Sequence, residues 1–210
     1  MKTIKQEHIE AEIIEKKSKF IANVFYIKSQ EEAENKIKEI RKKYYDARHN
    51  CFAYSITLKD KVITKSSDDG EPSKTAGAPI LNVITGNELS NILIIVTRYF
   101  GGILLGTGGL VKAYTNASLE ALKMAEYVTE KNGFELKIKI NYIDIEKLKY
   151  YCQKNNINII KTDYEEFIEC ILEVTNDEKD KIISNNQENS FNILDYKIVQ
   201  EKNIRKNIEK

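Results

Sequence analysis

The stretch Asn91-Ile92-Leu93-Ile94-Ile95-Val96-Thr97-Arg98-Tyr99, followed by Phe100-Gly101-Gly102-Ile103-Leu104-Leu105-Gly106-Thr107-Gly108-Gly109-Leu110-Val111-Lys112-Ala113-Tyr114, sets the architecture of this chain. Ile92 to Val96 is an unbroken apolar run, which predicts a central strand covered on both faces. It is far too short to span a bilayer. Beyond the glycines, Leu110, Tyr114, Ala117, Ala121, Ala125 and Val128 line one stripe of a long helix. Asn132 and Gly133 are expected to end that helix as a left-handed cap.

Upstream, Thr3 to Glu15 and Lys19 to Ile27 read as strands joined through Lys16 to Ser18. Ser29, followed by Gln30, Glu31 and Glu32, predicts a helix start, and Ala33, Ile37, Ile40 and Tyr44 carry its apolar face to about Tyr45. His49 to Leu58 and Lys61 to Ser66 form a second hairpin around Lys59 and Asp60. Ser67 to Pro79 is loop, and Ile80 to Thr85 a short helix. Downstream the pattern restarts: strand Phe134 to Tyr142, helix Ile143 to Lys154, strands Ile157 to Tyr164 and Phe167 to Thr175, helix Asp177 to Gln187 capped by Asn176, and strand Phe191 to Gln200. That βαββαβ order is ferredoxin-like. The expected organisation is α+β, with domains at 1–131 and 132–202 and a polar tail at 203–210 that frays.

Composition narrows the function. With 33 Lys and Arg against 32 Asp and Glu, the net charge of +1 supplies no global field for nucleic acid, so any basic surface is local. Three scattered cysteines, Cys51, Cys152 and Cys170, suit reduced thiols and have no metal-ligand spacing. Charges run through Met1 to Glu15, which argues against a signal or transit peptide and for the cytoplasm. No cofactor motif is complete, and nothing here sets an oligomeric state.

Four segments carry chemistry. In Ser66 to Pro79, the carboxylates of Asp68, Asp69 and Glu71 fit either a hard cation such as magnesium or a turn whose acids accept backbone N–H groups. The segment from Arg98 to Lys112 has the strand, glycine loop and helix start of an anion site, with Gly106, Thr107, Gly108 and Gly109 offering N–H groups and Arg98, Lys112 and Lys74 offering charge. Close helix packing is the competing reason for the same glycines. His49-Asn50-Cys51 places a histidine two positions from a thiol, yet no triad can be completed from neighbouring strand positions. The cluster Lys36, Lys38, Arg41, Lys42 and Lys43, followed after two tyrosines by Arg48, is interleaved with glutamates and reads as a solvated helix face in preference to an RNA patch. Since no full nucleophile-and-base or metal set can be assembled, a binding protein is favoured over an enzyme.

Ser67-Asp68-Asp69-Gly70-Glu71-Pro72-Ser73-Lys74-Thr75-Ala76-Gly77 and Arg98-Tyr99-Phe100-Gly101-Gly102 through Tyr114, together with Ser18-Lys19-Phe20-Ile21 and His49-Asn50-Cys51-Phe52-Ala53-Tyr54, resemble the IMPACT/YigZ family in motif and order. Lys74 stands where that pattern has Gly and Lys112 where it has Arg, a change that keeps charge but loses the guanidinium fork. The resemblance implies a ribosomal-protein domain-two-like fold followed by a ferredoxin-like domain. It also implies a translation-linked, cytoplasmic binding role with RNA, ribosome or a translation factor as partner. A metal-dependent enzyme or phosphate-ligand binder built on Asp68, Asp69 and Glu71 beside the glycine loop is the alternative.

Overall fold

The computed structural model describes residues 1–58, 61–184 and 190–208. The chain forms two compact units, Met1–Val128 and Thr129–Lys210. The first contains β1 (Lys2–Ile4), β2 (His8–Glu15), β3 (Ser18–Tyr26), α1 (Gln30–Lys43), β4 (His49–Leu58), β5 (Lys61–Ser67), α2 (Gly77–Gly86), β6 (Ile92–Tyr99) and α3 (Gly106–Lys123). Its main sheet has the order β2-β3-β6-β4-β5, with every pair antiparallel.

The central place of β6 explains its composition. Because successive side chains leave opposite faces of a strand, Ile92, Ile94 and Val96 enter one core with Ile80 and Val83 of α2 and Leu110 and Tyr114 of α3. Leu93 and Ile95 enter another with Ile37 and Ile40 of α1. Helices therefore cover both faces, and no residue from Ile92 to Arg98 is left exposed. The β2–β3 hairpin turns on Lys16 and Lys17, both left-handed at φ 45° and 65°. Such a turn twists with its strands. Ser29 caps α1 by accepting from the Glu32 N–H at 3.1 Å, and the Glu32 carboxylate accepts in return from the Lys28 N–H.

The second unit is built from β7 (Tyr127–Ile140), a 3-10 turn at Tyr142–Asp144, α4 (Ile145–Lys154), β8 (Asn158–Tyr164), β9 (Ile168–Thr175), α5 (Asn176–Ile183) and β10 (Ile193–Asn207). The strands lie in the order β10-β7-β9-β8. Leu136, Ile138 and Ile140 alternate with Ile168, Cys170, Leu172 and Val174 onto one face, beneath Leu148 and Cys152 of α4 and Ile182 of α5.

The structure departs from expectation in five places. Thr3 to Glu15 breaks at residues 5–7, where the Gln6 amide donates to the Met124 carbonyl and accepts from the Glu126 N–H. The helix expected to reach Asn132 stops at Lys123; from Tyr127 the chain is strand, with Val128 and Glu130 buried in alternation. Gly133 is a strand residue opposite Thr175, not a helix cap, and any side chain there would meet the Val174 carbonyl oxygen. Of the tail expected to fray, residues 203–207 are the end of β10, with Ile204 buried and Lys206 paired with Glu178, while residues 209–210 lie outside the described residues. The cap of α5 is Thr175 instead of Asn176, in a reciprocal arrangement with Glu178 that satisfies two free N–H groups. The turn at Lys59 and Asp60 and the helix end at residues 185–187 lie outside the described residues.

Candidate functional site

The acidic loop is organised around its own backbone. Asp68 Oδ1 accepts from the N–H groups of Ala76 and Gly77 at 3.0 and 2.8 Å, and Oδ2 accepts from Lys74 N–H at 2.8 Å. Asp69 Oδ2 accepts from Asn50 N–H at 2.7 Å, its Oδ1 is paired with Arg41, and its carbonyl accepts from His49 Nδ1 at 2.9 Å. Asp69, Gly70 and Lys74 all hold left-handed backbone, at φ 43°, 87° and 64°. Lys74 thus adopts the conformation that a glycine would take most easily. The loop is in this way bound to β4 on one side and to the start of α2 on the other. Among the described residues no three His, Cys, Asp or Glu side chains gather as a metal ion would require.

Burial pushes the Asp68 carboxyl up, but the N–H donors of Lys74, Gly77 and Ala76 outweigh it and hold the group below its ordinary 3.8. A depressed folded-state value contributes stability above the unfolded pKa, and that contribution is lost as pH falls through the folded value. Asp68→Asn is therefore expected to cost about 1–2 kcal/mol at pH 7, with the deficit shrinking below about pH 4. Urea unfolding of both proteins from pH 7 to 3 measures it; a pH-independent deficit would disprove the charged-acceptor account.

Glu71 turns inward. Its Oε1 accepts from Arg98 Nη1 at 2.7 Å and from the Tyr114 hydroxyl at 2.8 Å, and both members of the ion pair are almost fully buried. Arg98 therefore does not project from the end of β6 as a free phosphate ligand. Its guanidinium sits 5.6 Å from the ring centres of both Phe20 and Phe100. The Cys51 thiol lies 2.8 Å from the Asp68 carbonyl and 3.4 Å from the Tyr114 hydroxyl. Burial pushes this thiol up to about 12 despite the Tyr114 contact. A thiol kept protonated in this way is no nucleophile. Cys51 is expected to resist iodoacetamide at pH 8 in the folded protein and to react in urea; stoichiometric labelling of folded Cys51 would reverse this reading.

The glycines divide by role. Gly101 packs against the backbone of Lys17 and Ser18, where no side chain fits. Gly106 has φ +70°, and a Cβ on Gly106 or Gly108 would meet nothing within 4 Å. Close packing is thus not the reason for these two. The α3 cap, Leu105, supplies no side-chain acceptor, so the first N–H groups of the helix have no capping side chain. Thr107, Gly108 and Lys112 are exposed there. Lys74 instead borders a groove with Pro79, Asn82, Val111, Thr115 and Leu119, between α2 and α3.

A cleft of about 440 Å³ opens beside the glycine loop, lined by Asp46, Arg48, His49, Arg98, Tyr99, Phe100 and Leu104. His49 and Arg98 meet there because they are cross-strand partners in the β4–β6 register. Sequence reasoning placed Arg48 only in the basic cluster that follows Lys36 and missed Asp46, Tyr99, Phe100 and Leu104 as site residues; the signal available was the antiparallel alignment of the His49 and Arg98 segments.

Residues 16–122 match the model of the Impact N-terminal domain. The chain is 37% identical over 160 residues to IMPACT family member YvyE of Bacillus subtilis, spanning 76% of this chain and 73% of that one. It is 35% identical over 154 residues to IMPACT family member YigZ of Escherichia coli, covering 73% and 76% respectively. A solved crystal structure of a hypothetical protein superposes with a TM-score of 0.59 at 29% identity, covering 91% of this chain and 95% of that one. With the domain match extending over half its length and curated relatives aligned across most of both chains, this chain belongs to the IMPACT family.

Proposed function

We propose that this protein is a cytoplasmic, translation-linked binding protein whose ligand is RNA, and that it performs no chemistry on it. The observation that carries this reading is the convergence of Arg48, Arg98, His49 and the exposed Phe100 on one cleft, next to a helix start without a capping side chain. Positive charge beside an aromatic ring and free N–H groups suits a phosphate backbone with unpaired bases. Family membership supports the link to translation. The strand order β10-β7-β9-β8 supports a ferredoxin-like second unit, and the helix-covered five-stranded sheet supports a ribosomal-protein domain-two-like first unit. Among the described residues no helix is long and apolar enough to cross a membrane. The metal-dependent alternative is not favoured, because Asp68, Asp69 and Glu71 already accept from backbone, Arg41, Arg98 and Tyr114.

Fluorescence anisotropy with a labelled single-stranded RNA, repeated across salt concentrations, tests the proposal. Affinity is expected to fall with salt, and Lys112→Ala to weaken binding and lower the salt slope by about 0.7. Gly108→Ala is expected to weaken binding without lowering the melting temperature, since no neighbour is displaced. Absence of binding to single-stranded RNA and to ribosomes at low salt would sink the proposal.

A further inference from the structure

We infer that the cleft between the ends of β4 and β6 is a mononucleotide subsite: one unpaired base lies on the outer face of Phe100 and its phosphate reaches Arg48 and the free edge of the Arg98 guanidinium. This rests on the RNA reading and narrows it to single-stranded nucleotides with an accessible phosphate. Size is the first support, because about 440 Å³ lies within the range of small-ligand sites and is too confined for a duplex.

Charge is the second. Among the described residues, Asp46 is the one carboxylate lining the cleft, and its Oδ1 accepts from the Tyr99 hydroxyl at 2.7 Å. Arg48 is exposed and lines the same cleft, so its guanidinium is open to a ligand. His49 donates from Nδ1 to the Asp69 carbonyl, which leaves Nε2 to accept from a base N–H or, when protonated, to donate to phosphate.

Arg98 is the third and the most specific support. Phe20 and Phe100 flank its guanidinium, and Glu71 holds Nη1. Its Nε is buried with no hydrogen-bond partner, a costly arrangement that an incoming acceptor would relieve. Phe100 and Leu104, which border the cleft, are 53% and 82% exposed, so an entering ligand can move them without disturbing the core. A guanidinium packed near two rings and held along one edge by Glu71 is preorganised for an anion on its remaining edge. The ring of Phe100 then offers its outer face for stacking.

Isothermal titration of the full chain with AMP, adenosine and inorganic phosphate tests the subsite, alongside a single-stranded RNA decamer. AMP is expected to bind about tenfold more tightly than either adenosine or phosphate. Arg48→Gln and Phe100→Ser alter exposed side chains, and each is expected to weaken AMP by about tenfold while the melting temperature stays near that of the parent. Binding of the decamer without AMP, or AMP affinity unchanged in both folded variants, overturns the subsite and leaves RNA binding standing. Binding of AMP without the decamer upholds the subsite and removes the RNA reading.

Discussion

Glu71→Ala is expected to lower stability by about 3–5 kcal/mol, the largest loss of any single side-chain truncation in the loop motifs. Glu71 and Arg98 retain only 3% and 8% of their side-chain exposure, so the loss is not softened by water. With the carboxylate gone, the guanidinium keeps its charge in a site where Nε already has no partner, and Nη1 joins it. The Tyr114 hydroxyl also loses its acceptor. Glu71→Gln keeps an acceptor of the same shape and is expected to fall between the parent and Glu71→Ala. The double variant Glu71→Leu, Arg98→Met removes both charges and is expected to recover most of the loss, because burying an ion pair gains little over apolar packing. Urea unfolding of the four proteins measures these differences. A Glu71→Ala variant within 1 kcal/mol of the parent would mean that Arg98 finds water or another partner, and the buried-pair account would fail.

Gly101→Ala is expected to cost about 3 kcal/mol, at the upper end for overpacking. The added methyl group would enter the space of the Lys17 carbonyl and the Ser18 N–H, both main-chain groups. They have little room to yield. Lys17 and Lys16 already hold the left-handed pair that closes the β2–β3 turn, and the Gly101 N–H donates to the buried Ser18 hydroxyl at 3.1 Å. The contrast with Gly108 isolates the cause. Gly108→Ala adds the same methyl group to open space inside α3 and is expected to stabilise the protein by about 0.5–1 kcal/mol, by helix propensity. Differential scanning calorimetry of both variants reads the opposite signs directly; equal melting temperatures would show that the loop relaxes around Gly101.

What could be read from the residues in order is what depends on near neighbours. The unbroken run Ile92 to Val96 announced a strand covered on both faces, and the sheet places it centrally between α1 and the pair α2, α3. Asp68 and Asp69 announced a turn, and the backbone N–H groups they accept from lie within a few residues or on the adjoining strand. The end of α3 was not legible. Val128 fits the helical stripe and the strand alternation equally well, and the choice rests on pairing with strands far along the chain. Gly133 looked like a cap because its reason, the nearness of Val174, is 41 positions away. Arg98 shows the same limit at the site. Its charge at the mouth of a glycine loop pointed to phosphate, whereas β4–β6 pairing brings the loop carrying Glu71 against it and spends one of its donors inside the protein. Periodicity and turn chemistry are written in residues a few positions apart, but the partner of a buried charge follows from sheet register, which many distant contacts fix together.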